Sequence, residues 1–364
     1  MKNIFFKVPA VLLVIFSCST KQNINYEISF SNSNKKLTPC DTIRISLNTK
    51  KDIDSAIFFI DKKQIRKNYF IAKSTGEFNV KSKLFSGNEI YEISKKFRVY
   101  AKKKPSIYEY KLIKTYPHDI EAYTQGLEFI NDTLYESTGQ YGNSSLRKVD
   151  YKTGKVLKKL PINKSYFTEG ITHYKDKIIQ LTWKENIGFV YNRKTFELLD
   201  TFEYNKSPEG WGLCSDDNFL YKTDGSYKLW KIDPQTFEEL ESKDIVTHNN
   251  FISKVNELEY ANGLIYANTY QFSKDVVIII DPKTGIVVGV IDFSGLKEKV
   301  KNHKNIDVFN GIAFHPRRKT FFVTGKNWNK LFEVEIFKKN LKLPISILNF
   351  ISFIRNFFII QLFK

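Results

Sequence analysis

The sequence has few of the residues that usually bind metal ions in proteins. Only 3 cysteines and 5 histidines occur among 364 residues, and no HExxH, CxxC or HxH spacing is present. Zinc sites depend on cysteine, histidine and carboxylate ligands clustered at such spacings. The sequence therefore argues against a metal-dependent enzyme, and we expect no cofactor.

Acidic residues are scarce relative to basic ones. There are 39 Asp and Glu against 57 Lys and Arg, which gives a formal net charge of +18. Because this excess is spread along the chain, it fits acidic partners or an anionic membrane surface, and we expect no nucleic acid as a partner. Apolar residues make up 42% of the chain and aromatic residues 15%, so the chain can bury a core and its composition favours β-structure.

The first segment, residues 1–18, has the pattern of an export signal. Lys2 and Lys7 precede an apolar run from Val8 to Phe16, which is too short to form a stable transmembrane helix. The segment resembles a bacterial lipoprotein signal, in which Cys18 becomes the lipidated first residue. An ordinary secretory signal is the alternative. Either signal predicts export, and lipidation at Cys18 predicts a lipoprotein of the cell envelope, in the periplasm or on the outer membrane.

Residues 23–101 predict a small Ig-like β-sandwich. Short strand-like runs, among them 43–47 and 56–60, alternate with Asn, Lys, Asp and Gly. Several strands at this spacing in roughly 80 residues are typical of a sandwich. The run of three lysines and a proline at 102–105 then interrupts the pattern as a linker.

Residues 106–338 contain an internal repeat. Four segments share a strand, an Asp/Asn-x-x-Thr turn and a second strand, and their turns begin at Asp150, Asn192, Asp233 and Asp281. The threonines of these turns are 42, 41 and 48 residues apart. In each turn we expect the Asp or Asn side chain to accept a backbone N–H two residues further on.

The period of the repeat indicates a β-propeller. A spacing of ~40–45 residues with several strands per unit is typical of propeller blades, which close into a ring to bury their faces. With a fifth, degenerate copy at 321–335, the sequence predicts an all-β fold with a five-bladed propeller at 106–338. The strand-like run from Tyr108 to Thr115 would complete the last blade. Residues 339–364 form an apolar basic tail, for which an interfacial helix and a poorly ordered terminal helix are equal alternatives.

Several short strings fall at comparable positions relative to the repeat turns. They are YTQGL (Tyr123–Leu127), FTEGIT (Phe167–Thr172), LTW (Leu181–Trp183), EGWGL (Glu209–Leu213), NELEY (Asn256–Tyr260) and TGKNW (Thr324–Trp328). In a ring, equivalent positions of successive blades converge near the axis, so these polar residues and tryptophans should share one mouth. Together with YESTG at 135–139 and NGIA at 310–313, the strings resemble those of the plant-type and bacterial glutaminyl-peptide cyclotransferases, a family of five-bladed propellers. The resemblance covers residues 108–336.

The resemblance implies an enzyme that converts the N-terminal glutamine of a peptide or protein into pyroglutamate and releases ammonia, without a catalytic metal. In this reaction the α-amine of the substrate attacks its own γ-amide carbon. One carboxyl group can serve first as base and then as acid. The resemblance assigns that role to Glu169, whose pKa should rise towards ~6–7 when the side chain is packed among aromatic rings.

The other site residues follow from the same resemblance. Gln125, Asn256 and Lys326 correspond to polar pocket residues of the family and could donate hydrogen bonds to the oxyanion of the tetrahedral intermediate. The implied aromatic wall, which would exclude water, consists of Tyr123, Phe167, Trp183, Trp211 and Tyr270. This sequence departs from the family at Tyr123, where phenylalanine is usual, and at Tyr270, where tryptophan is usual. Glu209 and Asp224 we interpret as structural residues.

Two other functions are open from the sequence. A propeller of this kind can also be a non-catalytic envelope protein that binds peptides or glycans, because the fold alone does not decide between catalysis and binding. A membrane-associated scaffold would use the positive charge and the apolar tail. The complete polar set around Glu169 favours the enzyme, acting as a monomer on a peptide or protein with N-terminal glutamine.

Overall fold

The computed structural model describes residues 26–31, 36–50, 52–271 and 273–339, and these residues are largely β-structure. Within these ranges the helical structure is a single 3-10 turn at Lys297–Lys299, and no described helix has the length and apolar character needed to cross a bilayer. The all-β prediction is confirmed. The predicted export signal with Cys18, and the apolar tail beyond Lys339, lie outside the described residues and stay predictions.

The chain divides into two compact units. One contains the described residues within 1–33, 43–70 and 79–95, and the other contains those within 34–42, 71–78 and 96–364. The N-terminal strands are β1 Glu27–Phe30, β2 Thr42–Asn48, β3 Ser55–Ile60, β4 Lys63–Ile65, β5 Tyr69–Ile71, β6 Gly76–Ser86 and β7 Glu89–Val99. They form a three-stranded sheet in the order β1-β2-β5 and a four-stranded sheet in the order β4-β3-β6-β7. The predicted domain boundaries stay predictions.

The later strands build the larger unit as a series of four-stranded groups. They are β8 Ser106–Pro117, β9 Thr124–Ile130, β10 Thr133–Thr138, β11 Ser145–Asp150, β12 Lys155–Pro161, β13 Thr168–Tyr174, β14 Lys177–Thr182, β15 Ile187–Asn192, β16 Leu198–Glu203, β17 Leu213–Ser215, β18 Leu220–Thr223, β19 Lys228–Ile232, β20 Glu239–Asp244, β21 Val255–Ala261, β22 Leu264–Thr269, β23 Val276–Ile280, β24 Val287–Asp292, β25 Phe309–His315, β26 Thr320–Gly325 and β27 Lys330–Lys338. Strands β9–β12, β13–β16 and β17–β20 form separate antiparallel sheets, whereas β8 joins β21–β24 and β25–β27 into one eight-stranded sheet.

Strand β8, the first of this series of strands, pairs with the last, β27. It pairs antiparallel with β27, from Pro117 opposite Lys330 to Tyr108 opposite Lys338, so the predicted closing strand lies within it. The innermost strands contact one another in the cyclic order β9, β13, β17, β21, β25 and again β9. This order suits the predicted ring of blades, whose number stays a prediction.

The repeat turns have the predicted chemistry. Oδ1 of Asp150 accepts a hydrogen bond from the backbone N–H two residues on at 3.0 Å, and Oδ1 of Asp233 does the same at 2.8 Å. Asn192 and Asp281 make the equivalent bonds. Each turn joins the third strand of its group to the fourth, so the sequence repeat marks the outer part of each sheet.

Glycine allows the innermost strands to approach one another closely. A Cβ at Gly170 would lie 2.5 Å from the backbone nitrogen of Leu213, and a Cβ at Gly212 would overlap the carbonyl oxygen of Asn256. Leu213 begins β17 and Asn256 lies on β21, so each glycine faces the next innermost strand. Glycine is therefore required at these two positions for the strands to pack around the mouth.

Gly212→Ala should lower the free energy of unfolding by about 3 kcal/mol, because the added methyl group must displace the strand that carries Asn256. Gly263→Ala is the matched control, since Gly263 has a φ of +82° but open space around the position of its Cβ. Backbone strain alone predicts a cost of about 1 kcal/mol there. Urea unfolding measures both values, and equal costs would contradict the packing argument.

Candidate active site

The polar and aromatic residues predicted for the site line a single cavity of about 190 Å³. Its lining is Tyr123, Gln125, Phe167, Glu169, Trp183, Trp211, Asn256, Tyr270 and Lys326. The structure thus brings all nine predicted side chains together. Among the described residues, no three His, Cys, Asp or Glu side chains form a group that could hold a metal ion.

The position of each residue within its sheet explains why they meet. Gln125, Glu169 and Asn256 are each the second residue of an innermost strand, namely β9, β13 and β21. Tyr270 and Lys326 directly follow the second strands β22 and β26. Because neighbouring strands are antiparallel, the start of an innermost strand and the end of the second strand lie at the same mouth.

Glu169 has a buried carboxyl group with only one of its oxygens bonded. The residue is 5% exposed, and its Oε1 accepts a hydrogen bond from Nε2 of Gln125 at 2.9 Å. Its Oε2 is buried and has no hydrogen-bond partner in the described part of the chain. Burial raises the pKa of Glu169 to about 8; Lys326 opposes this rise, and the carboxylates of Glu209 and Glu185 add to it. The pKa moves in the predicted direction and beyond the expected ~6–7, because burial outweighs the opposing charge of Lys326 and the neighbouring carboxylates add to the effect of burial.

Lys326 places a buried amine beside this carboxyl. The residue is 2% exposed, and burial lowers its pKa to about 8, against the opposing effects of Glu169 and Asp307. Its Nζ lies 4.7 Å from the ring centre of Tyr123 and 5.1 Å from that of Tyr270. A carboxyl and an amine with converging pKa values can both gain and lose protons near neutral pH.

The two amide side chains make different contacts. Gln125 donates to Glu169 through Nε2, and its Oε1 accepts a hydrogen bond from Nδ2 of Asn310 at 3.3 Å. Gln125 therefore orients the carboxyl, a contact that the sequence did not predict. The backbone carbonyl oxygen of Asn256 accepts a hydrogen bond from Oγ1 of Thr223 at 3.0 Å. The side-chain Oδ1 of Asn256 is buried and has no partner among the residues described.

Five half-buried aromatic side chains form the wall of the cavity. Phe167 meets Trp183 edge to face with ring centres 5.5 Å apart, and it meets Tyr123 in the same way at 6.2 Å. Trp211 and Tyr270 are likewise perpendicular at 6.2 Å. These rings keep water from the carboxyl and so cause the desolvation that raises its pKa.

Tyr123 and Asp307 form a pair that sequence reasoning missed. Oη of Tyr123 donates a hydrogen bond to Oδ2 of Asp307 at 2.8 Å. The hydroxyl of Tyr123, which a phenylalanine would lack, is therefore bonded within the protein. Asp307 lies just before β25. Its negative charge also raises the pKa of Lys326, so Asp307 contacts one residue of the cavity and favours the protonated form of another.

Glu209 is a second residue whose contacts were not predicted. Its Oε2 accepts hydrogen bonds from Nε1 of both Trp183 and Trp211, each at 2.7 Å. The one sequence signal was its place in the EGWGL string, two residues before Trp211. Asp224, which was also interpreted as structural, accepts hydrogen bonds from Ser226 and from the indole of Trp230, and it does not line the cavity.

Comparison with known proteins agrees with this geometry. Residues 87–336 match the family model described as glutamine cyclotransferase. The chain belongs to the glutamine cyclotransferase family. A curated Arabidopsis thaliana protein named glutaminyl-peptide cyclotransferase is 39% identical over 240 residues, which are 65% of this chain and 74% of that protein. The crystal structure of Myxococcus xanthus glutaminyl cyclase matches with a TM-score of 0.60 and 34% identity, covering 65% of this chain and 100% of that one. The resemblance inferred from the motifs is confirmed.

The buried carboxyl gives this glutamine cyclotransferase family member a specific pH dependence of stability. The pKa of Glu169 is 4.5 in the exposed, unfolded reference and about 8 in the folded protein. Between these values the folded state binds more protons at this position than the unfolded state. The stability that the protonated carboxyl contributes is therefore complete below pH 4.5 and is lost as the pH rises through 8.

Glu169→Gln removes this titration and leaves all other groups in place. Relative to the parent, the variant should gain stability by about 1.4 kcal/mol per pH unit between pH ~5 and ~8. Urea unfolding of both proteins over a series of pH values measures the difference. Parallel stability curves would show that Glu169 titrates near its ordinary pKa and would contradict the burial argument.

Proposed function

We propose that this chain converts the N-terminal glutamine of a peptide or protein into pyroglutamate with release of ammonia. The relatives from Arabidopsis thaliana and Myxococcus xanthus carry the name of this activity. The observation that carries the proposal is the buried carboxyl of Glu169. It lies in an aromatic cavity, with one oxygen held by Gln125 and the amine of Lys326 nearby.

The size of the cavity favours a single residue as the bound part of the substrate. Its volume of about 190 Å³ lies below the ~300–1,000 Å³ of pockets that hold drug-sized ligands. One uncharged glutamine side chain suits this volume and the aromatic wall. The rest of the peptide would extend from the mouth, so specificity rests on the terminal residue.

The reaction needs one proton to move between two nitrogens. The α-nitrogen forms a bond with the γ-amide carbon, and the bond from that carbon to the departing ammonia breaks. Because the pKa of Glu169 is about 8, a fraction of the carboxyl is ionised at neutral pH and can accept the proton of the attacking nitrogen. It then donates that proton to the departing nitrogen, so Glu169 ends the cycle in the state in which it began.

Two acceptors in the cavity offer a binding position for the α-amine. Oε2 of Glu169 and Oδ1 of Asn256 are buried and lack partners within the described ranges. Buried polar groups without partners are costly, so a ligand that brings N–H donors to both is favoured. Lys326 can donate to the oxyanion that develops on the γ-carbonyl oxygen, and such a donor typically lowers a barrier by ~2.7–4 kcal/mol.

Turnover of a peptide that begins with glutamine tests the proposal, with ammonia release and product mass as readouts. Glu169→Gln should lower kcat by about 10²–10⁴-fold, since it removes the group that transfers the proton. Glu197→Gln, at an exposed glutamate on a repeat turn, is the matched control and should keep the parental rate. Chelators should leave turnover unchanged.

Two outcomes would contradict the proposal in different ways. Equal turnover by Glu169→Gln and the parent would remove Glu169 from the mechanism. Binding of the peptide by the parent without any turnover would instead favour the non-catalytic binding protein.

A further inference from the structure

We propose that Glu209 is a positioning residue of this site, which holds Trp183 and Trp211 together and places its negative charge near Glu169. Glu209 does not itself line the cavity, so it acts through residues that do. The inference deepens the proposed function and rests on it.

A single carboxylate oxygen connects two sides of the aromatic wall. Oε2 of Glu209 accepts hydrogen bonds of 2.7 Å from the indole N–H groups of Trp183 and Trp211. Trp183 follows β14 and Trp211 precedes β17, so the two indoles belong to neighbouring sheets. Hydrogen bonds to an ionised acceptor are stronger than those between neutral groups, and they restrain the orientation of both rings.

The backbone around Glu209 is itself held in place. Lys222 donates from Nζ to the carbonyl oxygen of Glu209 at 3.3 Å, and this buried lysine is paired with Glu239 at 2.9 Å. The N–H of Gly210 donates to the carbonyl oxygen of Trp183 at 2.9 Å. A Cβ at Gly210 would overlap a backbone carbonyl oxygen, so the chain passes too close for any other residue. The carboxylate is therefore presented to the indoles from a fixed position.

The charge of Glu209 also acts on the carboxyl of Glu169. Among the charged groups around Glu169, Lys326 lowers its pKa, whereas Glu209 and Glu185 raise it. Asp307 acts on Lys326, the ionisable amine of the cavity, and raises its pKa. Loss of the negative charge at position 209 should therefore lower the pKa of Glu169 and leave less of it protonated at neutral pH.

Glu185 provides a control that separates charge from positioning. It also raises the pKa of Glu169, but its Oε1 accepts a hydrogen bond from Oη of Tyr141 at 2.8 Å. Glu185→Gln thus removes a negative charge while leaving the bonds of Glu209 to both indoles intact. Glu209→Gln removes the charge and weakens those bonds, with little change in the shape of the side chain.

The first measurement follows the indole N–H groups by NMR in the full-length chain. The sequence has 4 tryptophans, so four indole signals are expected. Glu209→Gln should shift the signals of Trp183 and Trp211, assigned through the Trp183→Phe and Trp211→Phe variants. The signals of Trp230 and Trp328 should stay, because these indoles donate to Asp224 and to the carbonyl oxygen of Asp307. Glu185→Gln should leave the Trp183 and Trp211 signals in place.

The second measurement titrates the side-chain carboxyl of Glu169 by ¹³C NMR, with Glu169→Gln used for assignment. The midpoint should move to lower pH in both Glu209→Gln and Glu185→Gln. In turnover, Glu209→Gln should lower kcat/KM by about ten- to a hundredfold at the optimal pH, because displaced wall rings orient the substrate poorly. Glu185→Gln should move the acidic limb of the pH profile to lower pH. It should keep kcat/KM at its optimum within about twofold of the parent, because it removes neither hydrogen bond to the two indoles.

Three results would overturn the proposal. The first is that the indole signals of Trp183 and Trp211 do not move in Glu209→Gln. The second is that the titration midpoint of Glu169 is unchanged in Glu209→Gln. The third is that Glu209→Gln has the same kcat/KM as Glu185→Gln although its indole signals have shifted. Absence of turnover in the parent would contradict the proposed function instead. The indole and carboxyl signals would then still show whether Glu209 holds the wall and sets the charge of Glu169.

Discussion

The removal of the Glu169 carboxyl from water is the constraint on which the rest of the site depends. Burying an unpaired carboxylate costs several kcal/mol, and a protein usually avoids that cost by keeping the group protonated or by pairing it. Here Gln125 bonds to one oxygen, and burial raises the pKa to about 8. The aromatic wall and the close approach of the innermost strands hold the carboxyl in that state, whereas the buried amine of Lys326 opposes the rise in its pKa.

The charges near the cavity balance one another. Lys326 favours the ionised form of Glu169, whereas Glu209 and Glu185 favour the protonated form. Asp307 in turn favours the protonated amine of Lys326. The consequence is a carboxyl and an amine that both titrate close to the ordinary pKa of a peptide α-amine, ~7.7–8.0. Loss of the charge of Glu185 should therefore change the acid–base balance without altering the contacts of the two indoles.

Much of the fold and the site could be predicted because the repeat places equivalent residues in equivalent positions. The turns at Asp150 and Asp233 revealed the strands, and the short strings between the turns marked the mouth. Contacts between sheets could not be predicted in this way. The bond from Trp183 to Glu209 joins residues 26 positions apart, and that from Tyr123 to Asp307 spans 184 positions.

The pKa of Glu169 shows the same limit. The aromatic residues in the sequence indicated the direction of its shift. The size of the pKa shift depends on how completely the rings exclude water and on how close the neighbouring carboxylates lie. Both follow from the packing of whole sheets against one another, and neither can be deduced from the local sequence around FTEGIT.

The most direct measurement is a crystal structure of Glu169→Gln with a bound peptide that begins with glutamine. We expect the terminal glutamine side chain inside the aromatic cavity, with its α-nitrogen within hydrogen-bond distance of Oδ1 of Asn256 and of the substituted side chain at position 169. A peptide bound elsewhere on the protein, or an α-nitrogen directed into solvent, would contradict the account.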